Sequence, residues 1–285
     1  MLTSEKFTTS NRPKHLEPGD KIMLVAPARF ASQKAIQDAA NSVVDAGFTP
    51  VIPSNLDAKY HQFAGLDLHR AGHLNSAFRD PSIRAVLALR GGYGSGRLLP
   101  LLDSKAYLSD PTWIVGFSDI TVLHSWSTNL GVTSLHAPVA GTLNSTLPAD
   151  VNAMWSALRT GSTLNPKLKV TGGNLSVLYS LLGTPYFPNV SGSYLFVEEI
   201  DEYLYHIDRM FLSFKLAGVF EKANGLMVGT FSDIRDNTLN DGQALDNPFG
   251  LDLGEIISSH VPVDFPVTYG NPMGHGERNY PLLLG

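Results

Sequence analysis

The sequence contains no cysteine among its 285 residues. This absence excludes disulfides, thiolate metal sites and a cysteine nucleophile. It leaves the redox compartment open, because a chain without thiols tolerates either environment. Basic residues are also few, since 21 lysines and arginines against 26 acidic residues give a formal charge of −5. No basic cluster is present, which argues against binding to nucleic acid or to an anionic membrane.

Long hydrophobic runs are missing as well. No stretch approaches the length of a transmembrane helix, and residues 1–17 are polar, without the apolar segment of a signal peptide. We therefore expect a cytoplasmic protein with no membrane partner. A hydrophobic content of 43% with 16% charged residues is typical of a globular protein with a substantial core. The length is sufficient for two modest domains or one large one.

The first half of the chain alternates short apolar runs with helical patterns. Strands are predicted at residues 21–26, 49–52, 83–89, 113–116 and 132–135. This alternation predicts an α/β fold with a mainly parallel sheet, in which sites form at the carboxyl ends of the strands.

The second half predicts a smaller, mixed α/β domain, with strands at 194–197 and 225–229. A segment rich in proline, serine and threonine separates the two halves and is typical of a domain boundary. We predict a polar N-terminal arm (1–18), an N-terminal domain (19–145), a linker (146–169) and a C-terminal domain (170–285).

Ser118 lies at a predicted strand-to-helix turn. A β-branched run ends at Gly116, and a helical pattern begins immediately after the serine. At such a turn the hydroxyl is held at the sheet edge, beside unpaired N–H groups and the positive end of the helix dipole, which together can stabilise an oxyanion. The alternative is a plain N-cap. The pattern also departs from the Gly-x-Ser-x-Gly elbow, because Ile120 occupies the position of the second glycine.

A glycine-rich loop at 90–97 follows another predicted strand. Arg97 stands where a dinucleotide-binding motif needs its third glycine, and no P-loop lysine is present. The loop is therefore either a tight turn or a segment whose N–H groups face a ligand. The loop and Ser118 both follow strands, so both lie at the same predicted edge of the sheet. This shared position favours a ligand-facing loop and a nucleophilic serine together. His69 and His73 have helical i, i+4 spacing but no third ligand, so we predict no metal site.

Seven motifs occur in an order that resembles a known family. They are Arg-Gly-Gly-Tyr-Gly at 90–94, Gly-Phe-Ser-Asp at 116–119, Gly-Gly-Asn-Leu at 172–175, Gly-Thr-Pro at 183–185, Val-Glu-Glu-Ile-Asp-Glu at 197–202, Asp-Arg-Met at 208–210 and Gly-His-Gly at 274–276. From Leu16 to Gly285 the chain resembles the LD-carboxypeptidases of peptidase family S66, which include muramoyltetrapeptide carboxypeptidases and microcin C immunity hydrolases. The resemblance implies two α/β domains, with the nucleophile in the first and the other two triad members in the second.

Residue by residue, the resemblance implies Ser118 as nucleophile, Glu198 and His275 as its partners, and the backbone N–H groups of Gly92 and Asp119 as the oxyanion hole. From the residues alone, His275 could lie in a surface loop, and Glu199 or Glu202 could replace Glu198. The Asp119 side chain is expected to favour the helix dipole as a first-turn acid. Relatives usually continue further beyond Gly-His-Gly, so a final strand could be absent, and the nucleotide-facing loop of the microcin-type members is not identifiable.

The activity that the resemblance implies is a serine carboxypeptidase that cleaves an L,D-peptide bond and releases D-alanine from murein tetrapeptide in cell-wall recycling. It needs no cofactor, and a homodimer is expected. The alternatives are a hydrolase that inactivates peptidyl- or aminoacyl-nucleotide antibiotics and a non-catalytic peptide-binding α/β module. A substrate carboxylate in a cleft requires a cation. The candidates are Arg90, Arg97 and Arg278, although Arg90 could instead brace its loop against Asp103 or against the sheet edge.

Overall fold

The computed structural model describes residues 11–163 and 168–285. The first half of the chain forms five strands and five helices: β1 (Lys21–Val25), α1 (Gln33–Asp45), β2 (Thr49–Val51), α2 (Asp67–Arg79), β3 (Ile83–Ala88), α3 (Ser104–Ser109), β4 (Trp113–Gly116), α4 (Thr121–Asn129), β5 (Ser134–His136) and α5 (Pro148–Thr160). The second half contributes five strands and three helices: β6 (Val170–Asn174), α6 (Leu175–Leu181), β7 (Tyr194–Ile200), α7 (Leu204–Leu216), β8 (Gly225–Ser232), α8 (Leu253–His260), β9 (Val267–Thr268) and β10 (Leu282–Leu284).

These strands build two separate sheets. The larger has the order β10-β5-β4-β3-β1-β2 and is parallel except for β10, which runs antiparallel to β5. The smaller has the order β6-β7-β8-β9 and is parallel throughout. The predicted α/β class, with a mainly parallel first sheet, is confirmed.

Side chains of the larger sheet alternate between two apolar layers. Ile22 and Leu24 of β1 pack toward α1 and α5, whereas Met23 and Val25 pack toward α2 and α4. In the smaller sheet, α6, α7 and α8 cover one face. The other face packs Phe196 against the strand β10. Both sheets are therefore covered on both sides, as parallel strands with continuous apolar runs require.

Three strands, β6, β9 and β10, were not predicted from the sequence. The glycine pair in β6 gives no strand pattern, yet the strand is buried and lies close to β7, where a Cβ on Gly172 would approach the carbonyl oxygen of Phe196 to 2.0 Å. Only glycine permits this approach. The other two strands, β9 and β10, have two and three residues, too few for a periodic signal. The strand β10 joins the larger sheet beside β5.

The helix α5 lies within the predicted linker, and its Met154 and Trp155 belong to the core of the first half. The domain boundaries themselves stay predictions. None of the helices in residues 11–163 and 168–285 has the length and hydropathy of a membrane span.

Candidate active site

Ser118 occupies a strained turn between β4 and α4. A 3₁₀ turn runs from Ser118 to Ile120, and the serine has a φ of +63°, a left-handed conformation that is costly for a residue with a side chain. Phe117 and Ile120 hold the cap positions here, and neither makes a side-chain cap hydrogen bond. Ser118 is therefore not an N-cap. Strain of this kind is typical of a nucleophile elbow, where the turn holds the hydroxyl out over the sheet edge.

The glycine-rich loop lies directly against this serine. A Cβ on Gly91 would be 3.0 Å from Ser118 Oγ and 3.4 Å from the backbone nitrogen of Asp119. Further along the loop, the buried guanidinium of Arg70 donates to the carbonyl oxygen of Gly94 at 3.0 Å and to that of Pro27. The loop is thus fixed beside Ser118 and is not an isolated turn.

Asp119 is a first-turn acid, as expected. Its carboxylate is buried, and Oδ2 accepts the backbone N–H of Ser95 at 2.8 Å. Burial raises the pKa of Asp119, and the hydrogen bonds from Ser95 only partly oppose this effect. The side chain thereby ties the glycine-rich loop to the turn that carries Ser118.

Glu198 and His275 form a hydrogen-bonded pair. The Glu198 side chain is fully buried in β7, and its Oε2 accepts Nδ1–H of His275 at 2.7 Å. The neighbouring acids have other partners. Glu199 accepts N–H groups from Asn174, Ser176 and Ile200, and Glu202 bonds to His206 and to the N–H of Tyr203. Of the three candidate acids, Glu198 is therefore the one that contacts His275.

The environment of His275 favours a basic imidazole. Burial lowers the pKa of His275, but the hydrogen bond and charge of Glu198, together with the charge of Glu199, outweigh it and raise this pKa above its ordinary value. The ring packs against Phe117, with the two ring centroids 4.6 Å apart. Among the described residues, neither Ser118 Oγ nor His275 Nε2 has a hydrogen-bond partner. Both atoms are free to contact a substrate, and such contacts often form only when substrate is bound.

A cavity of about 990 Å³ brings these groups together. Its wall contains Ser118, Gly92 and His275, and also Asn174 and Glu199 from the second half of the chain. This volume suits a small-molecule or peptide ligand. The chemistry that a serine, an imidazole and a buried carboxylate can perform together is acyl transfer.

The predicted arginines differ in position. Arg97 pairs with Asp67 at 2.8 Å and Arg278 with buried Asp150 at 2.8 Å, and neither lines the large cavity. Their assignment to the substrate is not supported, because both guanidinium groups are already neutralised by a carboxylate. Arg90 does line the cavity.

The suggested contact of Arg90 with Asp103 is wrong. Asp103 pairs with Arg79 at 2.6 Å, and Arg90 donates only a long hydrogen bond of 3.4 Å to the carbonyl oxygen of Phe30. A further arginine in the cavity wall, Arg29, was missed. It follows β1 at the same carboxyl edge, so the rule that located Ser118 and the glycine-rich loop could have found it.

The predicted absence of a metal site rests on His69 and His73. His73 Nε2–H donates to the carbonyl oxygen of Ser54 at 3.2 Å. Within the described ranges, no group of three histidine or acidic side chains is arranged to hold a metal ion.

Both halves of the chain match models of one protein family. A model of the LD-carboxypeptidase N-terminal domain matches residues 22–137, and a model of the C-terminal domain matches residues 169–285. The chain is 31% identical over 302 residues to a Bacillus subtilis protein named "probable murein peptide carboxypeptidase", covering 98% of this chain and 91% of the relative.

Solved structures show the same fold. The structure of muramoyltetrapeptide carboxypeptidase from Oxalobacter formigenes is 28% identical and covers 93% of this chain and 92% of its own, with a TM-score of 0.80. The microcin C7 self-immunity protein MccF, in complex with aspartyl sulfamoyl adenosine, also gives a TM-score of 0.80. It is 21% identical and covers 96% of this chain and 93% of its own. This second likeness concerns the fold alone.

Proposed function

The chain belongs to the LD-carboxypeptidase family, peptidase family S66, and we propose that it is a serine carboxypeptidase that cleaves an L,D-peptide bond and releases D-alanine from murein tetrapeptide. The observation that carries this proposal is the contact of 2.7 Å between buried Glu198 and His275, whose side chain lines the same cavity as the strained Ser118. The proposed role is cell-wall recycling in the cytoplasm. A homodimer is the assembly expected from the family.

In the proposed mechanism Glu198 holds the proton of His275 on Nδ1, so that Nε2 presents its lone pair to the cavity. The imidazole takes the proton of Ser118, and Oγ attacks the carbonyl carbon of the L-residue. The nitrogen of the departing D-alanine then receives that proton from His275 as the C–N bond breaks. Water, deprotonated by the same imidazole, hydrolyses the resulting serine ester.

The oxyanion is proposed to rest on the N–H groups of Gly92 and Asp119. The proximity of Gly91 to both Ser118 Oγ and the Asp119 nitrogen supports this, since it brings the loop backbone and the start of the helix to the reacting oxygen. Donors fixed before substrate arrives are the most effective, because they need no reorganisation during the reaction. The contact of Asp119 with Ser95 holds both in place.

A second candidate is hydrolysis of an aminoacyl-nucleotide by the same serine. The cavity volume of about 990 Å³ favours it, because this exceeds the need of a terminal dipeptide and would hold a nucleotide. The Ser118 chemistry would be identical, and only the group that leaves would differ. A non-catalytic peptide-binding module is the third candidate.

A two-substrate assay tests these candidates. The wild-type protein should release D-alanine from murein tetrapeptide faster than it cleaves an aminoacyl-sulfamoyl adenosine, and the reverse order would favour the second candidate. Ser118→Ala should fold normally and lose on the order of a million-fold in kcat, because the nucleophile is gone. Ser258→Ala, at an exposed serine of α8, is the control and should behave as wild type.

Covalent labelling separates an enzyme from a binding module. A serine-reactive phosphonate should add mass to the peptide that contains Ser118 and to no other peptide. Two results together would refute the assignment of Ser118 as nucleophile. They are the absence of added mass on Ser118 after prolonged labelling, and more than a few per cent of wild-type activity in a clean Ser118→Ala preparation.

A further inference from the structure

Two arginines in the cavity wall have no carboxylate partner. Within residues 11–163 and 168–285, the Arg29 guanidinium makes no hydrogen bond or ion pair, and Arg90 has only the long contact with the Phe30 carbonyl oxygen. The other arginines near the glycine-rich loop are committed, since Arg70 and Arg97 both bind Asp67. An unpaired cation in the wall of a cavity favours an anionic ligand.

The backbone around Arg29 is fixed. Arg29 pairs with Phe63 in an isolated antiparallel bridge, and the preceding carbonyl, that of Ala28, accepts the N–H of Ala64 at 3.2 Å. The side chain then runs across the bare Cα of Gly92. A Cβ on Gly92 would be 2.6 Å from Arg29 Cδ and 2.8 Å from its Nε, so the arginine occupies the space that any other side chain would fill.

This placement brings the cation next to the reacting centre. In the glycine-rich loop, Gly91 faces Ser118, and the next residue, Gly92, faces the aliphatic part of the Arg29 side chain. In an L,D-peptide the carboxylate of the departing residue is attached to the carbon that carries the scissile nitrogen. A group beside the proposed oxyanion donor can therefore reach that carboxylate.

We propose that Arg29 binds the terminal carboxylate of the departing D-amino acid and thereby restricts the enzyme to exopeptidase cleavage. The inference rests on the proposed function. A guanidinium fits a carboxylate with two parallel hydrogen bonds, and leaving the carboxylate unpaired in the cavity would be unfavourable. Arg90 is the weaker candidate, because its guanidinium already points to the Phe30 carbonyl oxygen.

The test compares an L,D-peptide ending in free D-alanine with the same peptide amidated at its C-terminus. Wild type should prefer the free acid. Arg29→Ala should lower kcat/KM for the acid about ten- to hundredfold and leave the amide within about twofold, because only the acid needs the cation. Arg29→Met retains the stem over Gly92 and gives the same readout if the alanine variant does not fold. Arg29→Lys should recover part of the loss.

Two controls define the cause of any loss. Arg79→Ala, at an exposed arginine paired with Asp103 outside the cavity, should match wild type on both substrates. Phosphonate labelling of Ser118 should proceed at the wild-type rate in Arg29→Ala, because the phosphonate has no terminal carboxylate.

The possible outcomes are distinct. Equal losses on the acid and the amide, or slower phosphonate labelling in Arg29→Ala, would overturn the inference and place Arg29 at the oxyanion instead. A wild-type enzyme that cleaves acid and amide equally well would overturn it too. Failure of wild type to release D-alanine from the free acid would refute the proposed function, and with it this role of Arg29.

Discussion

Two adjacent buried carboxylates on β7 allow a sharp test of the site. Glu198 and Glu199 are 0% and 2% exposed, so both are removed from water to the same extent. Their contacts differ. Glu198 Oε2 binds His275, and its Oε1 has no partner among the described residues, whereas both oxygens of Glu199 accept N–H groups from β6, α6 and its own strand. The same substitution, glutamate to glutamine, should therefore have opposite consequences at the two positions.

Glu198→Gln should reduce turnover and leave stability nearly unchanged. The amide can donate to Nδ1 of His275 and stabilise the tautomer that has its proton on Nε2, which cannot accept the proton of Ser118. We expect kcat to fall by up to about 10⁴-fold. The free energy of unfolding should change by no more than about 1 kcal/mol, because the one hydrogen bond lost is the long contact of 3.3 Å from the His275 backbone N–H to Oε2, and the relief of a buried charge offsets that loss.

Glu199→Gln should reduce stability and leave turnover nearly unchanged. The glutamine amide has two orientations. In one its NH₂ group faces the N–H of Ser176, and in the other it faces the N–H groups of Asn174 Nδ2 and Ile200, so a buried donor loses its acceptor in both. An unsatisfied buried donor lowers the free energy of unfolding by about 1–3 kcal/mol. Because no oxygen of Glu199 contacts His275, kcat should stay within about tenfold of wild type.

The pH profile gives an independent measurement. His275 must be neutral to act as a base, so kcat/KM should rise with pH through the pKa of His275, which lies above 6.5 in the wild type. In Glu198→Gln the lowering effect of burial remains while the raising effects of that carboxylate disappear, so the rise should move to lower pH. In Glu199→Gln it should move less, because the charge of Glu199 is the smallest of the raising influences.

Both variants require kcat/KM from about pH 5 to 9 and urea unfolding curves. A Glu198→Gln enzyme with wild-type turnover, or one whose acid limb does not move, would refute the assignment of Glu198. A dead Glu199→Gln enzyme of wild-type stability would transfer the role to its neighbour.

Two further predictions concern the oxyanion loop and the buried imidazoles. Gly92→Ala should lower kcat/KM about 10²–10³-fold, because φ is +112° there and the added Cβ would clash with Arg29, displacing a proposed oxyanion donor. Steady-state kinetics should show no such loss for Gly96→Ala, whose added Cβ has no neighbour closer than 3.9 Å. The free energy of unfolding should fall as pH drops from 6.5 toward 4, since burial lowers the pKa of His124 to about 4 and that of His136 well below 6.5, so that only the unfolded chain takes up these protons. His124 alone accounts for a loss of about 3 kcal/mol. Chemical denaturation at several pH values measures this, and a free energy of unfolding that stays constant from pH 6.5 to 4 would contradict the prediction. His136→Leu should make the free energy of unfolding less dependent on pH.

The sequence predicts this site well where a strong local pattern ends at a functional residue. The strands before the glycine-rich loop and before Ser118 are short, fully buried and mainly apolar runs, and such runs, bounded by turn residues, predict strands of a parallel sheet. Their carboxyl ends then locate the sheet edge. What this reasoning could not give is the left-handed conformation of Ser118, since φ depends on how Gly116 and Ile120 pack beneath the turn.

Side-chain partners were the less predictable part. Arg97 and Asp67 are 30 residues apart in the chain, and Arg278 and Asp150 are 128 apart. No local pattern indicates that either pair will meet, so the sequence could not separate a committed arginine from a free one. The structure can, because it shows that Arg278 is paired with the buried carboxylate of Asp150, whereas the Arg29 guanidinium has no such partner among the described residues.

The two halves of the site are joined by a short chain of backbone contacts. Thr121, three residues beyond Ser118, accepts the N–H of Asn174 on its hydroxyl at 2.9 Å. Asn174 is in turn the register partner of Glu198 in the β6–β7 pair. This approach needs glycine at the preceding position, because a Cβ on Gly173 would come within 2.3 Å of the Thr121 hydroxyl oxygen. The glycine pair of β6 thus explains how a carboxylate from one sheet is held in register with a serine at the edge of the other.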